Sequence, residues 1–220
     1  MRTAAVFGTT GLIGSHLAEL LAQHKGYQKV YSFARRKPEF ILDKVEHIEF
    51  NPEILSIPCG VDDVFVCLGT TMNKAGSKDA FRKVDYEMVV EIAKHSKASQ
   101  VKHFVVVSSL GADPSAGNFY LRTKGQMEER IKKFDFEYCG IVRPSLLLGK
   151  RKEFRFGEKV GVALFNVFSF IFVGPLRKYK GINAEDVAKS MIMLAQNGKG
   201  IVTVESNILK QIADEYSNQQ

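Results

Sequence analysis

Short apolar runs alternate with longer segments of helical periodicity along most of the chain. Several runs are apolar at consecutive positions, as in Val64–Leu68, and such runs are typical of strands buried on both faces of a parallel sheet. This alternation predicts an α/β fold, a doubly wound parallel sheet of the Rossmann type. The predicted strands are Thr3–Phe7, Lys29–Phe33, Val45–Phe50, Asp63–Leu68, His103–Ser108, Glu137–Val142 and Ile201–Val204, and the predicted helices are Leu12–His24, Lys78–Lys97 and Phe119–Phe134.

The segment from Gly149 to Gly181 fits neither template and is rich in phenylalanine and basic residues. In a doubly wound sheet, a late irregular insertion often covers the cleft at the carboxyl ends of the strands, so we assign this segment to the substrate side. No interdomain linker or internal repeat is recognisable. A chain of 220 residues suffices for one domain with a substantial core, and we predict a single domain over residues 1–220.

The chain carries 31 basic and 24 acidic residues, and its net charge of +7 indicates an anionic partner. A phosphorylated cofactor, nucleic acid and a membrane surface all fit that charge. The basic cluster at 150–152 has no aromatic-interleaved RNA motif or recognition-helix pattern beside it, so we predict no nucleic-acid binding. The longest apolar run, Val160–Val173, has 14 residues, fewer than the ~20 that cross a bilayer as a helix, and predicts no membrane span. Its phenylalanines are expected in the core or a substrate pocket; if exposed, they would form a homodimer contact or an interfacial patch.

The three cysteines and five histidines show no metal-ligand spacing, and no metal site is predicted. Cys67 and Cys139 lie inside apolar runs, where cysteine usually behaves as a small buried hydrophobe. No signal-peptide layout precedes the first predicted strand. Together these features predict a cytoplasmic location.

The first predicted strand ends in a glycine-rich turn that leads directly into the first predicted helix. The turn has the pattern G-x-x-G-x-x-G over residues 8–14. Its glycines permit a tight turn and a close backbone approach, while the N–H groups and the dipole of the helix start bind a pyrophosphate. Because most donors would be backbone N–H groups, two of the intervening side chains need not be polar. We therefore predict that a dinucleotide contacts Gly8, Thr10, Gly11, Leu12, Ile13 and Gly14.

Two arginines follow the second predicted strand, where NAD-selective proteins of this fold carry an acidic residue on the ribose hydroxyls. This strand continues through Ala34 into Arg35, Arg36 and Lys37, with no acid at its end. Two guanidinium groups can clamp a 2′-phosphate through forked hydrogen bonds, and one can stack on adenine. Arg35 and Arg36 therefore predict NADP(H) as the cofactor.

A serine pair, a tyrosine and a lysine follow in an order suited to carbonyl reduction. Ser108 and Ser109 end the fifth predicted strand, and Tyr120 and Lys124 share one face of the next helix at spacing i, i+4. A free tyrosine has a pKa near ~10, and a neighbouring ammonium and an oxidised nicotinamide both favour its phenolate. Lys124 is also suited to hold the nicotinamide ribose. Either serine could orient and polarise the substrate carbonyl, so both are candidates.

With these motifs the chain resembles the short-chain dehydrogenase/reductase superfamily, and within it the atypical group of Tat-interactive-protein-like oxidoreductases. The resemblance extends from about Thr3 to Glu215 and is most specific in the middle of the chain. The matching segments are Cys67–Thr71, Lys74–Gly76, Phe81–Asp85, Ser108–Asp113, Asn118–Lys124 and Arg143-Pro144.

The resemblance implies an NADP(H)-binding Rossmann domain in which Tyr120 donates or accepts the proton and Lys124 is its partner. It also implies cofactor contacts at Leu68, Gly69, Leu147 and Arg155. The chain departs from the family pattern at two points. Asp85 stands where many extended members have asparagine, and Ser109 lies only eleven residues before Tyr120, closer than in orthodox members.

Two functions are compatible with these residues. The first is an NADPH-dependent oxidoreductase that transfers hydride to a carbonyl or a related small-molecule substrate. The second is a redox-inert module that senses NADP(H) and binds a regulatory or protein partner. The substrate and the oligomeric state have no recognisable signature in the sequence.

Overall fold

The computed structural model describes residues 1–38, 42–149 and 180–218. Seven parallel strands form one sheet in the order β3-β2-β1-β4-β5-β6-β9, and the short strands β7 and β8 pair separately. The strands are β1 (Arg2–Phe7), β2 (Tyr27–Ala34), β3 (Val45–Glu49), β4 (Asp63–Val66), β5 (His103–Val107), β6 (Tyr138–Arg143), β7 (Leu147–Leu148), β8 (Ile182–Asn183) and β9 (Gly200–Glu205).

Helices cover both faces of this sheet. The π-helical segment Lys83–Glu87 joins two of them, and a 3₁₀ turn spans Pro52–Ile54. The α-helices are α1 (Leu12–Gln23), α2 (Met72–Ala75), α3 (Lys78–Arg82), α4 (Met88–Ala98), α5 (Phe119–Lys132), α6 (Ala184–Asn197) and α7 (Ser206–Asn218).

The apolar residues of the central strands divide between two cores because successive side chains point to opposite faces. In β1, Ala4 and Val6 face the core formed with α1, α6 and α7, whereas Ala5 and Phe7 face the core formed with α4 and α5. This is why the strands are apolar at consecutive positions. The predicted doubly wound parallel sheet in a single domain is confirmed.

Several predicted element boundaries differ from the structure. Strand β4 ends at Val66, two residues earlier than predicted, so the residues from Cys67 onward form the connection at its carboxyl end. The predicted helix Lys78–Lys97 consists of α3, the π-helical segment and α4. Helices α6 and α7 were not predicted. Of the segment 149–181, assigned from sequence to the substrate side, only Gly149, Lys180 and Gly181 are described.

The sheet order reverses between β1 and β4. From β1 the chain adds β2 and β3 on one side, and from β4 it adds β5 and β6 on the other. In an open α/β sheet, ligands bind outside the carboxyl ends of the strands at such a reversal. The connections after β1, β2, β4 and β5 therefore surround the expected site. None of the described helices is long and apolar enough to cross a bilayer.

Candidate functional site

The glycine turn between β1 and α1 is built by close backbone contacts. Gly8 has φ +88°, in the left-handed region, and a Cβ there would lie 3.0 Å from the carbonyl oxygen of Cys67. The Gly11 amide donates a hydrogen bond to Gly8 O at 2.9 Å. A Cβ on Gly14 would lie 2.2 Å from that same oxygen, so only glycine lets α1 start this close to the strand.

The start of α1 is suited to an anion. Helix α1 has no acidic residue in its first turn, and its N-cap residue, Gly11, has no side chain that could accept a hydrogen bond from the first amides. The first amides of the helix thus retain hydrogen-bonding capacity, and the helix dipole favours negative charge there. Thr10 and Gly11 are exposed and Leu12 is half-buried, whereas the side chain of Ile13 is buried in the core. The residues present therefore fit a dinucleotide pyrophosphate, with Ile13 contributing only its backbone.

A buried hydroxyl pair that sequence reasoning missed holds the turn against β2. Thr9 Oγ1 and Ser32 Oγ are 2.6 Å apart, and both side chains are fully buried. Arg35 and Arg36 follow β2 directly and are exposed. Because β2 pairs with β1 through Phe33 and Phe7, the arginines emerge beside the glycine turn. A hydroxyl residue inside an apolar strand was the available signal for this contact.

The connection after β4 lies on the other side of the turn. The half-buried side chain of Leu68 approaches Gly8, where a Cβ would be 3.3 Å from Leu68 Cδ2. Gly69 is exposed, and a Cβ there would lie 3.4 Å from Asp85 Oδ1 and 3.9 Å from Lys124 Nζ. The structure thus brings Leu68 and Gly69 between the glycine turn and the predicted catalytic helix.

Helix α5 carries Tyr120 and Lys124 one turn apart. Asn118 caps its start by accepting a hydrogen bond from the Leu121 amide at 3.2 Å. Tyr120 is half-buried, and its ring packs against Phe81 with the centroids 5.4 Å apart. Lys124 is buried, and its ammonium donates to the carbonyl oxygen of Val107, at the end of β5, at 3.4 Å.

An ion pair with Asp85 holds the Lys124 ammonium. Lys124 Nζ lies 2.7 Å from Asp85 Oδ1, and the two side chains are only 4% and 1% exposed. Burial opposes the charged form of Lys124, but Asp85, followed by Tyr120 and Glu128, outweighs it and raises the pKa of this lysine above its ordinary value. Lys124 is therefore a fixed cation next to the position that Tyr120 occupies on the helix.

The two serines after β5 have different surroundings. Ser108 is buried, and its hydroxyl donates to Glu128 Oε1 at 2.5 Å. Glu128 in turn accepts hydrogen bonds from the Arg143 guanidinium at 2.9 and 2.5 Å. Ser109 is half-buried, and among the described residues its hydroxyl makes one long contact, of 3.4 Å, with Leu110 O. Of the two sequence candidates, Ser109 is the one whose hydroxyl is able to turn toward a substrate.

The segment after Arg143-Pro144 returns to the start of α1. Leu147 is half-buried and packs against the core on the α1 side. A Cβ on Gly149 would lie 3.0 Å from Leu12 Cδ1, which places this strand end against the glycine turn. Arg155 and the run Val160–Val173 lie outside the described residues.

Comparison of the sequence with known proteins shows the family to which the chain belongs. Residues 8–197 match the NAD(P)H-binding family, and the chain belongs to that family. The chain is similar to protein FMP52, mitochondrial, of Candida albicans, with 34% identity over 202 residues that cover 88% of this chain and 87% of the relative. It is also 34% identical to protein HTATIP2 of Rattus norvegicus over 164 residues, which cover 71% and 67% of the two chains. The similarity to HTATIP2 confirms the resemblance drawn from the sequence.

Solved structures share the fold at low sequence identity. The oxidoreductase ylbE from Lactococcus lactis superposes with a TM-score of 0.65 and 17% identity, covering 99% of this chain and 97% of that one. MoeE5 in complex with UDP-glucose and NAD gives a TM-score of 0.70 and 17% identity, covering 98% and 82%. At this identity the likeness shows the fold alone.

The predicted cytoplasmic location is wrong. The FMP52 relatives from Candida albicans, Debaryomyces hansenii and Candida glabrata are all named mitochondrial proteins. The prediction relied on the residues before the first strand and on the cysteine content. The lack of a secretory signal layout does not separate the cytoplasm from mitochondria, because mitochondrial transit peptides have a different, amphipathic pattern. Cysteines without a disulfide pattern are compatible with both compartments.

Proposed function

We propose that the chain is an NADPH-dependent oxidoreductase that reduces a carbonyl or a related small-molecule electrophile, and that it acts in mitochondria. One observation carries the proposal: Tyr120 and the fixed Lys124 ammonium lie together at the carboxyl end of β5, across the sheet reversal from the glycine turn. Membership of the NAD(P)H-binding family supports a nicotinamide cofactor. The names of the FMP52 relatives support the location.

Each side chain has a distinct role in this reaction. A bound nicotinamide cofactor, its pyrophosphate held by the glycine turn at residues 8–14, would supply the hydride for the carbonyl carbon. As the π electrons move onto the carbonyl oxygen, the Tyr120 hydroxyl gives that oxygen its proton, and the phenolate left behind is stabilised by the Lys124 ammonium. Ser109 orients the carbonyl through a hydrogen bond. The phenolate then recovers a proton from solvent.

The test of this role is Tyr120→Phe. Removing the hydroxyl should lower kcat at least about 10²-fold because the group proposed to protonate the carbonyl oxygen is lost. NADPH binding, measured by fluorescence titration, should stay within about threefold, since the pyrophosphate site lies at α1. Phe119→Leu is the matched control, as it alters the neighbouring aromatic position without removing a proton donor. Full turnover in Tyr120→Phe would overturn the role.

The preference for NADP(H) over NAD(H) is proposed for Arg35 and Arg36. Replacing both by serine should weaken NADPH binding at least about 100-fold, because charge-assisted hydrogen bonds from two arginines, at roughly 1.5–3 kcal/mol each, sum to at least about 3 kcal/mol. NADH binding should barely change. Titration of both cofactors with wild type and variant measures the difference.

A control must separate this effect from the loss of two charges. Lys25→Ser with Lys102→Ser removes two exposed cations that precede β2 and β5, at the amino ends of the strands. That variant should keep the wild-type preference for NADPH. If wild-type protein binds NADH as tightly as NADPH, the cofactor assignment is wrong.

The redox-inert NADP(H)-sensing module is the second candidate. It is favoured by one observation: the Lys124 ammonium is 4% exposed and already paired with Asp85, which restricts its reach toward a cofactor ribose. The two candidates differ in turnover. Oxidation of NADPH by purified protein with any member of a broad carbonyl and quinone panel would eliminate the inert module.

A further inference from the structure

The carboxylate of Asp85 contacts two parts of the site at once. Its Oδ1 is paired with Lys124 Nζ at 2.7 Å, and its Oδ2 accepts a hydrogen bond from the Thr70 amide at 2.8 Å. Thr70 belongs to the connection after β4, and Lys124 belongs to α5. One buried carboxylate therefore joins the connection that faces the glycine turn to the helix that carries Tyr120.

The backbone around Asp85 is adapted to this contact. Asp85 lies at the centre of the π-helical segment Lys83–Glu87, between α3 and α4. Single π turns inside α-helices occur frequently at functional sites, because the extra residue per turn re-aims a side chain. Lys83 and Glu87 are exposed, whereas Asp85 is fully buried. The segment thus directs one acidic side chain inward and leaves its charged neighbours in solvent.

We propose that Asp85 is a positioning residue that fixes the Lys124 ammonium on the Tyr120 face of α5 and anchors the connection after β4 against it. The importance of this positioning for catalysis rests on the proposed function. The contact between Asp85 and Lys124 can be tested in the protein without cofactor, so the positioning role and the oxidoreductase function can be refuted separately.

The groups around Lys124 show why Asp85 is the decisive partner. They are Asp85 from the π-helical segment, Tyr120 and Glu128 from α5, and the carbonyl of Val107 from β5. Glu128 is already shared between Arg143 and Ser108, so its charge is largely compensated. Burial is already the largest single influence on the pKa of Lys124, and Asp85 is the largest influence that opposes it. Burial disfavours the ammonium, so without the Asp85 charge the lysine should lose its proton at a lower pH.

Asp85→Asn removes the charge and preserves the shape. The amide oxygen of asparagine can still accept from Thr70, but its NH₂ group cannot accept from the lysine. Lys124 is followed by NMR titration of ¹³Cε-labelled lysine in the cofactor-free protein, with its signal assigned from Lys124→Met. We expect its titration midpoint to fall by at least about one pH unit in the variant. An unchanged midpoint would overturn the positioning role, whatever the enzyme activity.

Glu129→Gln is the matched control. It removes a carboxylate from the same helix, where Glu129 is exposed and pairs with Lys132 at 2.8 Å. The Lys124 midpoint should stay at its wild-type value in this variant. An equal downward shift in both variants would mean that the general field of the helix is responsible, and the inference would be wrong.

Asp85→Ala tests the hydrogen bond to the Thr70 amide, because this variant loses that contact as well as the ion pair with Lys124. NADPH affinity should stay within about threefold of wild type in Asp85→Asn and fall about tenfold in Asp85→Ala, since only the latter frees the connection after β4. Equal affinities in the two variants would refute the anchoring role. With an active enzyme, the alkaline limb of the pH profile of kcat should move down in Asp85→Asn by the same shift as the Lys124 titration.

Stability measurements keep the inference testable if Asp85→Asn folds poorly. Asp85→Asn leaves a buried ammonium without its partner, and we expect this unpaired charge to lower the stability of the variant. Adding Lys124→Met to Asp85→Asn should therefore raise the thermal midpoint of unfolding above that of Asp85→Asn alone. A double variant that unfolds at a still lower temperature would contradict the ion pair as the source of the effect.

Discussion

Neighbouring residues of the same type can have unrelated roles, as Ser108 and Ser109 illustrate. The hydroxyl of Ser108 is buried and donates to Glu128, an acceptor that also binds Arg143. Ser108 therefore belongs to a structural network between α5 and β6. Ser109 is half-buried, and within the part of the chain that the structure describes its hydroxyl has one long contact, with Leu110 O. The sequence presented two equal candidates, and the position of Glu128 distinguishes them.

Replacing each serine by alanine should affect different properties: Ser109→Ala should lower turnover, and Ser108→Ala should lower stability. Ser109→Ala should lower kcat/KM about 10²-fold, because one positioned hydrogen-bond donor to the reacting oxygen is lost. Ser108→Ala should leave kcat/KM within a few-fold and reduce the free energy of unfolding by about 1.5–3 kcal/mol, the typical value of a hydrogen bond to a charged group. Steady-state kinetics and urea unfolding of both variants measure this. A larger loss of turnover in Ser108→Ala would reverse the assignment.

At the level of elements, the features predicted best from the sequence are those formed by residues close together along the chain. The β1-turn-α1-β2 unit was predictable because the strand, the three glycines and the helix follow one another within 34 residues. The spacing of Tyr120 and Lys124 on α5 was predictable for the same reason, since helical periodicity alone places them on one face.

Contacts between distant elements were not predictable. Asp85 was recognised in the sequence only as a departure from a family pattern, and nothing local indicates that it meets Lys124. The π-helical segment has no sequence signature that separates it from an α-helix. The helix Ala184–Asn197 was missed although Glu185 and Asp186 in its first turn favour a helix start, because it follows directly on a segment with no recognisable pattern.

At the level of the whole molecule, the two ends of the sheet have different roles, one functional and one structural. The carboxyl end holds the candidate site, and the amino end holds a second buried polar cluster around Asp63, the first residue of β4. Asp63 accepts from the Tyr27 hydroxyl at 2.6 Å, lies 2.6 Å from His103 Nδ1 and pairs with Arg2 at 3.3 Å. Burial, followed by the Asp63 charge, raises the pKa of Tyr27 well above its ordinary value, so its hydroxyl remains a donor. One carboxylate thus ties together β1, β2, β4 and β5.

This separation predicts that Asp63→Asn harms the fold and spares the site. The variant keeps the shape of the side chain but leaves Tyr27, His103 and Arg2 without their shared charge. Removing one partner of a buried charged cluster typically costs 3–5 kcal/mol, and Arg2 is partly solvated, so we expect a loss of about 3 kcal/mol in the free energy of unfolding. For a chain of this length that corresponds to a fall in Tm of roughly 6–12 °C.

NADPH affinity, measured well below the new Tm, should remain within about twofold in Asp63→Asn. The length of β4 separates Asp63 from the site, and four residues of strand span roughly 13 Å. Asp113→Asn is the control for stability, because Asp113 is exposed and its carboxylate caps a turn through Ser115. This replacement should lower the free energy of unfolding by ~0.5 kcal/mol. If Asp63→Asn weakened NADPH binding as strongly as Asp85→Ala, the two ends of the sheet would be coupled and the division of tasks between them would not hold.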